Sequence, residues 1–188
     1  MKLYLKAALI TFVCAVGIGL LFMKWSNISQ SEEGTQNINM MDHMETQGLM
    51  DFKGQALDGT SITLKQYQGK VVVLNFWASW CGPCVEEFPS LVRLAEQMKG
   101  KVEVVAVSED SSREDIETFL KAFPQAKNPY FHIVWDKDRS IGQVYDAERL
   151  PESYVADKNL KLAKKIVGSI SWDSKQALQF MNELADKK

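Results

Sequence analysis

The sequence predicts an α/β protein, a three-layer α/β/α sandwich built on a mixed central sheet. Residues 71–75, Val-Val-Val-Leu-Asn, are rich in β-branched side chains and predict a buried strand. Apolar residues then recur with the period of a helix, at Phe88, Leu91, Val92, Ala95 and Met98. Further strands and helices alternate until two strands close the chain as a hairpin, which predicts a sheet with both parallel and antiparallel pairs.

The predicted elements of the domain, residues 49–188, follow from hydrophobic period, turn residues and caps. In order, they are a short N-terminal hairpin between Phe52 and Thr63, the strand at 71–75, a helix from Cys81 to about Met98, a strand from Val102 to Val107, a helix from a capping box at Ser111–Glu114 through Phe123, a strand from His132 to Trp135, a short helix from Asp138 to Tyr145, a hairpin of Ser153–Ala156 and Leu162–Val167, and a last helix capped by Ser171 or Asp173.

The first 25 residues have the composition of a single transmembrane anchor. Lys2 and Lys6 precede Ala7–Met23, a stretch of 17 residues without a charged side chain, and Lys24 and Trp25 close it. This is the short end of what spans a bilayer. The positive amino end predicts a cytoplasmic start and a domain outside the cytoplasm, in the periplasm or beyond the cell. The alternative is a cleaved signal peptide, whose apolar core is usually about 7–15 residues.

Residues 26–48 are polar and lack a hydrophobic period, which predicts a flexible linker. Met40, Met41, His43 and Met44, with Met50, are soft ligands that suit Cu(I). The alternative, which we favour, is a sulfur-rich tether that binds no metal.

The composition is that of a globular protein, with 46% hydrophobic and 24% charged residues. The net charge of −2 gives no indication of a nucleic-acid partner or of a polybasic membrane patch. The length of 188 residues accommodates one domain of ordinary size and an extension.

Two cysteines lie where the predicted central strand gives way to a helix. The helix start directs unpaired N–H groups and a partial positive charge at Cys81, which stabilises its thiolate, and Cys84 is shielded one turn further along. Pro83 has no N–H to lose at this position, and Gly82 leaves room for a substrate chain. This pattern predicts a dithiol that forms and breaks disulfides.

A pair of cysteines separated by two residues is also half of a structural zinc site, which needs two further ligands. The sequence has no second pair of this kind, and its only histidines are His43 and His132. We therefore expect no bound metal and no other cofactor.

The stretch Phe-Trp-Ala-Ser-Trp-Cys-Gly-Pro-Cys, residues 76–84, resembles the active-site signature of thioredoxin-fold oxidoreductases. The wider pattern, over residues 49–186, resembles the membrane-anchored TlpA/ResA-like branch, which includes reductases that serve cytochrome c maturation. The resemblance implies a thioredoxin-like fold. Cys81 is then the nucleophile that attacks a substrate disulfide, and Cys84 is the thiol that resolves the mixed disulfide.

The resemblance also implies a proton carrier. Thioredoxins proper bury an aspartate six residues before the first cysteine, whereas this sequence has Asn75, which does not titrate. The TlpA/ResA-like branch has a glutamate at the position of Glu87, three residues after Cys84. We expect Glu87 to be partly buried, with a raised pKa, and to accept the proton of Cys84. The alternative is an exposed helix residue, as we expect of Glu86.

Three other positions are expected to contact the substrate. In resembling proteins a cis proline before the hairpin strand faces the cysteines and presents main chain to the substrate, and Leu150-Pro151 matches it. Trp80 is expected to belong to an exposed apolar rim. Trp77 suits either the rim or the core.

Together these features predict a monomeric, membrane-tethered thiol–disulfide oxidoreductase that reduces extracytoplasmic protein disulfides, with apocytochrome c as a candidate substrate and a transmembrane dithiol carrier as electron donor. A disulfide-donating oxidant is the nearest alternative. A peroxidase of the peroxiredoxin type has a threonine where this chain has Ala78. A copper-delivery protein of related fold has three residues between its cysteines and a distant histidine, whereas here the spacing is two and His132 lies in a predicted strand.

Overall fold

The computed structural model describes residues 16–21, 23 and 39–187, and the chain divides after Asp42 into two compact units. In the first unit, residues 16–21 and 23 are helical. Most of the predicted anchor, and the predicted linker up to residue 38, lie outside the described residues. Within the described ranges, no helix has both the length and the apolar character needed to cross a membrane.

The second unit carries the predicted succession of strands and helices. In order, its elements are β1 (Gly54–Gln55), β2 (Ser61–Ile62), a 3-10 helix (Leu64–Tyr67), β3 (Val71–Trp77), α1 (Gly82–Met98), β4 (Val102–Ser108), α2 (Arg113–Leu120), a 3-10 helix (Pro124–Ala126), β5 (Phe131–Trp135), α3 (Ser140–Val144), β6 (Glu152–Ala156), β7 (Leu162–Val167) and α4 (Lys175–Asp186).

The central sheet is mixed, as the sequence predicts, with strand order β5-β4-β3-β6-β7. β3 is parallel to β4, and β4 is parallel to β5, whereas β6 runs antiparallel to both β3 and β7. β1 and β2 pair as the separate N-terminal hairpin. The two central strands β3 and β4 are buried along their whole length, because each has a neighbour on both sides and covered faces.

Both faces of the sheet are covered, which gives the three predicted layers. On one face, alternate residues of β3 such as Val71 and Val73 join a buried cluster with side chains from α1, α2 and α4. On the other face, Phe76 lies between Tyr145, which follows α3, and Tyr154 of β6, with ring centroids 5.4 and 6.0 Å apart. Successive side chains of a strand point to opposite faces, so β3 contributes to both hydrophobic layers.

Part of the segment predicted to be a flexible linker is helical. Residues 39–46 form a helix within the segment expected to be a flexible linker up to residue 48, and Met44 is 0% exposed. Met40, Met41 and Met44 recur at helical spacing, but this apolar pattern is short and lies among polar residues, so it gives only a weak signal for a helix. The folded structure therefore includes residues before position 49.

The cap of the last helix also differs from the prediction of Ser171 or Asp173. Ser174 is the N-cap of α4, and its Oγ accepts a hydrogen bond from the N–H of Ala177 at 3.3 Å. Asp173 instead pairs with Arg93 at 2.6 Å, and the Ser171 hydroxyl donates to Asp173. Three candidate capping residues stand close together, and tertiary contacts decide which of them caps the helix.

Candidate active site

The two cysteines form a disulfide at the start of α1. Cys81 is the N-cap residue of this helix, and its Sγ lies 2.06 Å from the Sγ of Cys84. The N–H of Cys84 donates to Cys81 Sγ at 3.3 Å, which is the hydrogen bond of a helix N-cap. Cys81 is 6% exposed and Cys84 1%, so the less buried of the two residues is the cysteine predicted to be the nucleophile.

The residues expected to meet a substrate surround this disulfide. Trp80 is 70% exposed, and Gly82 and Pro83 are exposed beside it. A Cβ added to Gly82 would meet no atom within 4 Å, so the main chain is open to an approaching peptide at this point. Trp80 is thus as exposed as the prediction of an apolar rim requires, and Gly82 and Pro83 lie exposed next to it.

The Leu150–Pro151 peptide bond is cis, as the resemblance implies. Antiparallel pairing of Phe76 with Glu152 brings Pro151 to the end of β3, where the loop to the cysteines begins. Leu150 is partly buried against the cluster that contains both cysteines. Trp77 is 1% exposed, with ring centroid distances of 4.9 Å to both Phe88 and Phe119, and so belongs to the core.

Asp110 holds the loop between β3 and the cysteines. Its carboxylate accepts the main-chain N–H of Ser79 at 3.0 Å and the Ser79 hydroxyl at 2.6 Å. The hydroxyl of Ser108 donates to the same carboxylate at 2.7 Å, and Asp110 is 1% exposed. We did not predict this residue from the sequence. An aspartate two residues after a buried strand, next to the parallel strand that leads into the cysteine loop, is the signal that could have found it.

Glu87 is buried, as predicted, at 4% exposure, whereas its neighbour Glu86 is exposed. Its Oε1 accepts a hydrogen bond from Asn75 Nδ2 at 2.9 Å, and its Oε2 accepts one from the N–H of Ile170 at 3.1 Å. Burial raises the pKa of the Glu87 carboxyl above its ordinary value, and the hydrogen bonds from Ile170 and Asn75 oppose this shift without cancelling it. A carboxyl of this kind accepts a proton more readily than an exposed glutamate does.

A short polar network continues from Glu87 into the sheet. Asn75 Nδ2 also donates to the Oγ of Ser153 at 2.9 Å, and the two residues are direct partners across β3 and β6. Ser153 and Ile170 were not predicted from the sequence. A polar residue in each of two adjoining buried strands could have indicated Ser153. Ile170 contributes its main-chain N–H, and no side-chain pattern in the sequence reveals such a contact.

Among the described residues, no hydrogen bond, ion pair or ring contact joins His132 to the cysteine pair. It lies in β5, and its Nε2 is 2.9 Å from Glu103 Oε2. In the part of the chain that the structure describes, no three His, Cys, Asp or Glu side chains are grouped in a way that could hold a metal ion.

The sequence of the domain matches a family model over most of its length. The model of the AhpC/TSA family matches residues 46–165. The chain belongs to the AhpC/TSA family. The matched part includes β1 to β6, both cysteines and the cis proline.

Individual relatives of this AhpC/TSA protein carry names that agree with its site. It is 27% identical over 172 residues to thiol-disulfide oxidoreductase ResA of Bacillus subtilis, an alignment that covers 90% of this chain and 87% of the relative. It is 36% identical over 113 residues to ResA of Bacillus cereus, which covers 60% of this chain and 63% of that protein, less than two thirds of its length. The crystal structure of a candidate thiol:disulfide interchange protein DsbE from Chlorobium tepidum is similar with a TM-score of 0.63 and 32% identity, covering 72% of this chain and 93% of the other.

These similarities confirm the thioredoxin-like fold and the resemblance to ResA-like proteins. With the disulfide at the start of α1, they identify this AhpC/TSA protein as a thiol–disulfide oxidoreductase.

Proposed function

We propose that the protein is tethered to the cytoplasmic membrane and reduces disulfides of proteins outside the cytoplasm. The observation that carries the proposal is the Cys81–Cys84 disulfide at the start of α1, with a glycine and a proline between the cysteines and the buried Glu87 one turn further along. The Gly-Pro pair is that of thioredoxin, whose reduction potential of about −270 mV is strongly reducing.

In the proposed cycle the enzyme starts as a dithiol. The Cys81 thiolate attacks one sulfur of a substrate disulfide and forms a mixed disulfide, and the other substrate sulfur leaves as a thiolate. The Glu87 carboxylate accepts the proton of the Cys84 thiol. The Cys84 thiolate then attacks Cys81 Sγ, which releases the second substrate sulfur and leaves the Cys81–Cys84 disulfide. Two electrons have passed to the substrate, and a membrane-embedded dithiol carrier returns them.

The reduction potential of the cysteine pair tests the direction of transfer. The full-length protein is equilibrated in dithiothreitol or glutathione buffers, and the fraction of disulfide is followed by alkylation of free thiols. A potential near or below about −270 mV is expected of a dedicated reductase. A potential near about −120 mV, that of a strong periplasmic oxidant, would overturn the reducing role and make the protein a disulfide donor.

The tether is proposed from the uncharged stretch Ala7–Met23 and the lysines that precede it. We expect the full-length chain in the membrane fraction of cells, resistant to high salt and released by detergent, with its domain accessible to protease from the outer side only. A shortened chain in the soluble extracytoplasmic fraction would show instead that the segment is a cleaved signal peptide.

Apocytochrome c is the proposed substrate. Incubation of the reduced protein with an oxidised peptide that carries a Cys-x-x-Cys-His haem-attachment sequence should yield the free peptide thiols. An unrelated disulfide peptide serves as the control, and equal rates on both would remove the support for this substrate.

We also propose that the protein works as a monomer. Light scattering after size-exclusion chromatography measures its mass in solution and tests this proposal.

A further inference from the structure

Trp172 lies outside the predicted site but packs in the same buried cluster as both cysteines. It precedes α4, and its side chain is 0% exposed. Its indole nitrogen Nε1 is buried and makes no hydrogen bond to any described residue. A buried N–H without a partner is unfavourable and uncommon, so its position calls for a reason.

The segment that carries Trp172 runs along α1 beside Glu87. The main-chain N–H of Trp172 donates to the Oγ of Ser90 at 3.1 Å, and the Ser90 hydroxyl donates to the main-chain oxygen of Glu87 at 2.8 Å. Two residues earlier, the N–H of Ile170 donates to Glu87 Oε2. The chain is thus fixed to α1 at both 170 and 172.

The indole lies near the Glu87 carboxylate, although its N–H does not reach hydrogen-bonding geometry there. Burial raises the pKa of Glu87, and the N–H of Ile170, the amide of Asn75 and, to the smallest extent, the nearby Trp172 side chain lower it. An ionised carboxylate has about four acceptor positions on its two oxygens. Asn75 and Ile170 occupy one position on each oxygen, which leaves room for a third donor.

We propose that Trp172 is a positioning residue of the redox site, whose indole N–H donates to the Glu87 carboxylate when that group is ionised and so keeps it oriented to accept the proton of Cys84. The proposal rests on the role assigned to Glu87 above. It also gives the buried indole N–H a partner during the part of the cycle in which Glu87 is negatively charged.

The surroundings of Glu87 make its titration simple to observe. Its two hydrogen-bond donors, Asn75 of β3 and the N–H of Ile170, are neutral. On α1 the neighbouring Glu86 is exposed, and Cys84 does not titrate while it is held in the disulfide. Arg93 and Asp173, beside Trp172, pair with each other at 2.6 Å. In the described part of the chain, no charged side chain contributes to the pKa shift of Glu87.

The test uses full-length protein with the disulfide intact and its five tryptophans labelled with ¹⁵N, observed through the indole N–H resonances by NMR. We expect the Trp172 indole resonance to shift with pH, with the same midpoint as the Glu87 carboxyl carbon, and to lose this dependence in Glu87→Gln. Trp77 is the matched control, since its indole Nε1 is also buried and without a partner. A Trp172 resonance that does not titrate, or that still titrates in Glu87→Gln, would overturn the proposal.

A variant pair adds a second readout. Trp172→Phe removes the indole N–H, and we expect the Glu87 midpoint to move up by about 0.5–1 pH unit, because a donor to the charged form is lost. Trp77→Phe removes the same group from the core and should leave the midpoint unchanged. Equal midpoints in the two variants would contradict the proposal. If Trp172→Phe does not fold, the resonance of the unmodified protein decides alone.

These measurements need neither a protein substrate nor a reducing potential. An oxidising value for the Cys81–Cys84 pair would therefore remove the proposed direction of transfer and leave the role of Trp172 to be decided by the titration.

Discussion

Glu87 is buried among neutral groups, which distinguishes it from most buried carboxylates. Its hydrogen bonds come from an amide, Asn75, and from a main-chain N–H, that of Ile170, and neither donor carries a charge. Buried acids are usually paired with a cation, because burial penalises the ionised form. Here the penalty remains, and it produces the raised pKa that suits a proton acceptor.

Glu87 should make the folded protein less stable as the pH rises. Because its pKa is raised in the folded state, the folded protein binds the proton more tightly than the unfolded chain, and the resulting stabilisation is lost as the pH rises through the folded pKa. We expect Glu87→Gln, which cannot ionise, to be more stable than the natural protein at pH 7 by a margin that shrinks at pH 4. Urea unfolding at both pH values measures this, with Glu86→Gln as control. A margin that is equal at both pH values would show that the substitution acts through packing.

Glu87 should also control the rate at which the mixed disulfide resolves. In Glu87→Gln we expect resolution to be slower on the order of 100-fold at neutral pH, since the proton acceptor for Cys84 is absent. Rapid-mixing kinetics with a fluorescent model disulfide, repeated over pH, measures the rate. Glu86→Gln, on the exposed side of the same turn, should match the natural protein. Unchanged resolution in Glu87→Gln across this pH range would remove Glu87 from the mechanism.

At the scale of elements, the sequence predicted what hydrophobic period and local chemistry determine. β3, β4 and α1 were placed within a residue or two, because long buried strands and a periodic helix have strong signals. The cap of α4 was misplaced, because Ser171, Asp173 and Ser174 are all good caps and only the Arg93 pair shows which is engaged elsewhere. The helix at 39–46 was missed because it contributes a single fully buried side chain.

The cap of α4 gives a test at this scale. Ser174→Ala removes the acceptor for the N–H of Ala177 and should cost about 1 kcal/mol of unfolding free energy. Ser171→Ala should cost clearly less, because the partner of its hydroxyl among the described residues is the partly exposed Asp173. Chemical denaturation measures the loss of unfolding free energy in both variants. A larger loss in Ser171→Ala than in Ser174→Ala would support Ser171 as the N-cap, which is one of the two residues that the sequence predicts.

At the scale of the whole molecule, the domain combines a fold that the sequence predicts well with a site that it predicts only in part. The sequence identifies Cys81, Cys84, Glu87 and Pro151, because each of them belongs to a recognisable motif. Trp172 carries no such motif, and Asp110 has only its position after β4 as a signal. Both reach the site from distant parts of the chain through contacts that the fold creates.

The buried methionine of the helix at 39–46 gives a test at this largest scale. Met44→Ala in the full-length protein should lower the free energy of unfolding by about 2–5 kcal/mol, because Met44 is 0% exposed and the substitution leaves a cavity. Met50→Ala, at a half-buried position of the same segment, should cost less. If Met44→Ala unfolds like the natural protein, the helix at 39–46 does not contribute to the stability of the domain.

The hydrogen bond between Asn75 and Glu87 restricts how such a site can change by single substitutions. Replacing Asn75 by aspartate would set a second carboxyl group within hydrogen-bonding distance of the Glu87 carboxyl. Two carboxylates at this distance repel each other, so only one of the two groups would ionise readily. Replacing Glu87 alone would leave no buried acid there at all. A path from this arrangement to one with the acid on the strand therefore passes through a chain with two buried acids or with none, and the two designs are separate solutions to the same proton transfer.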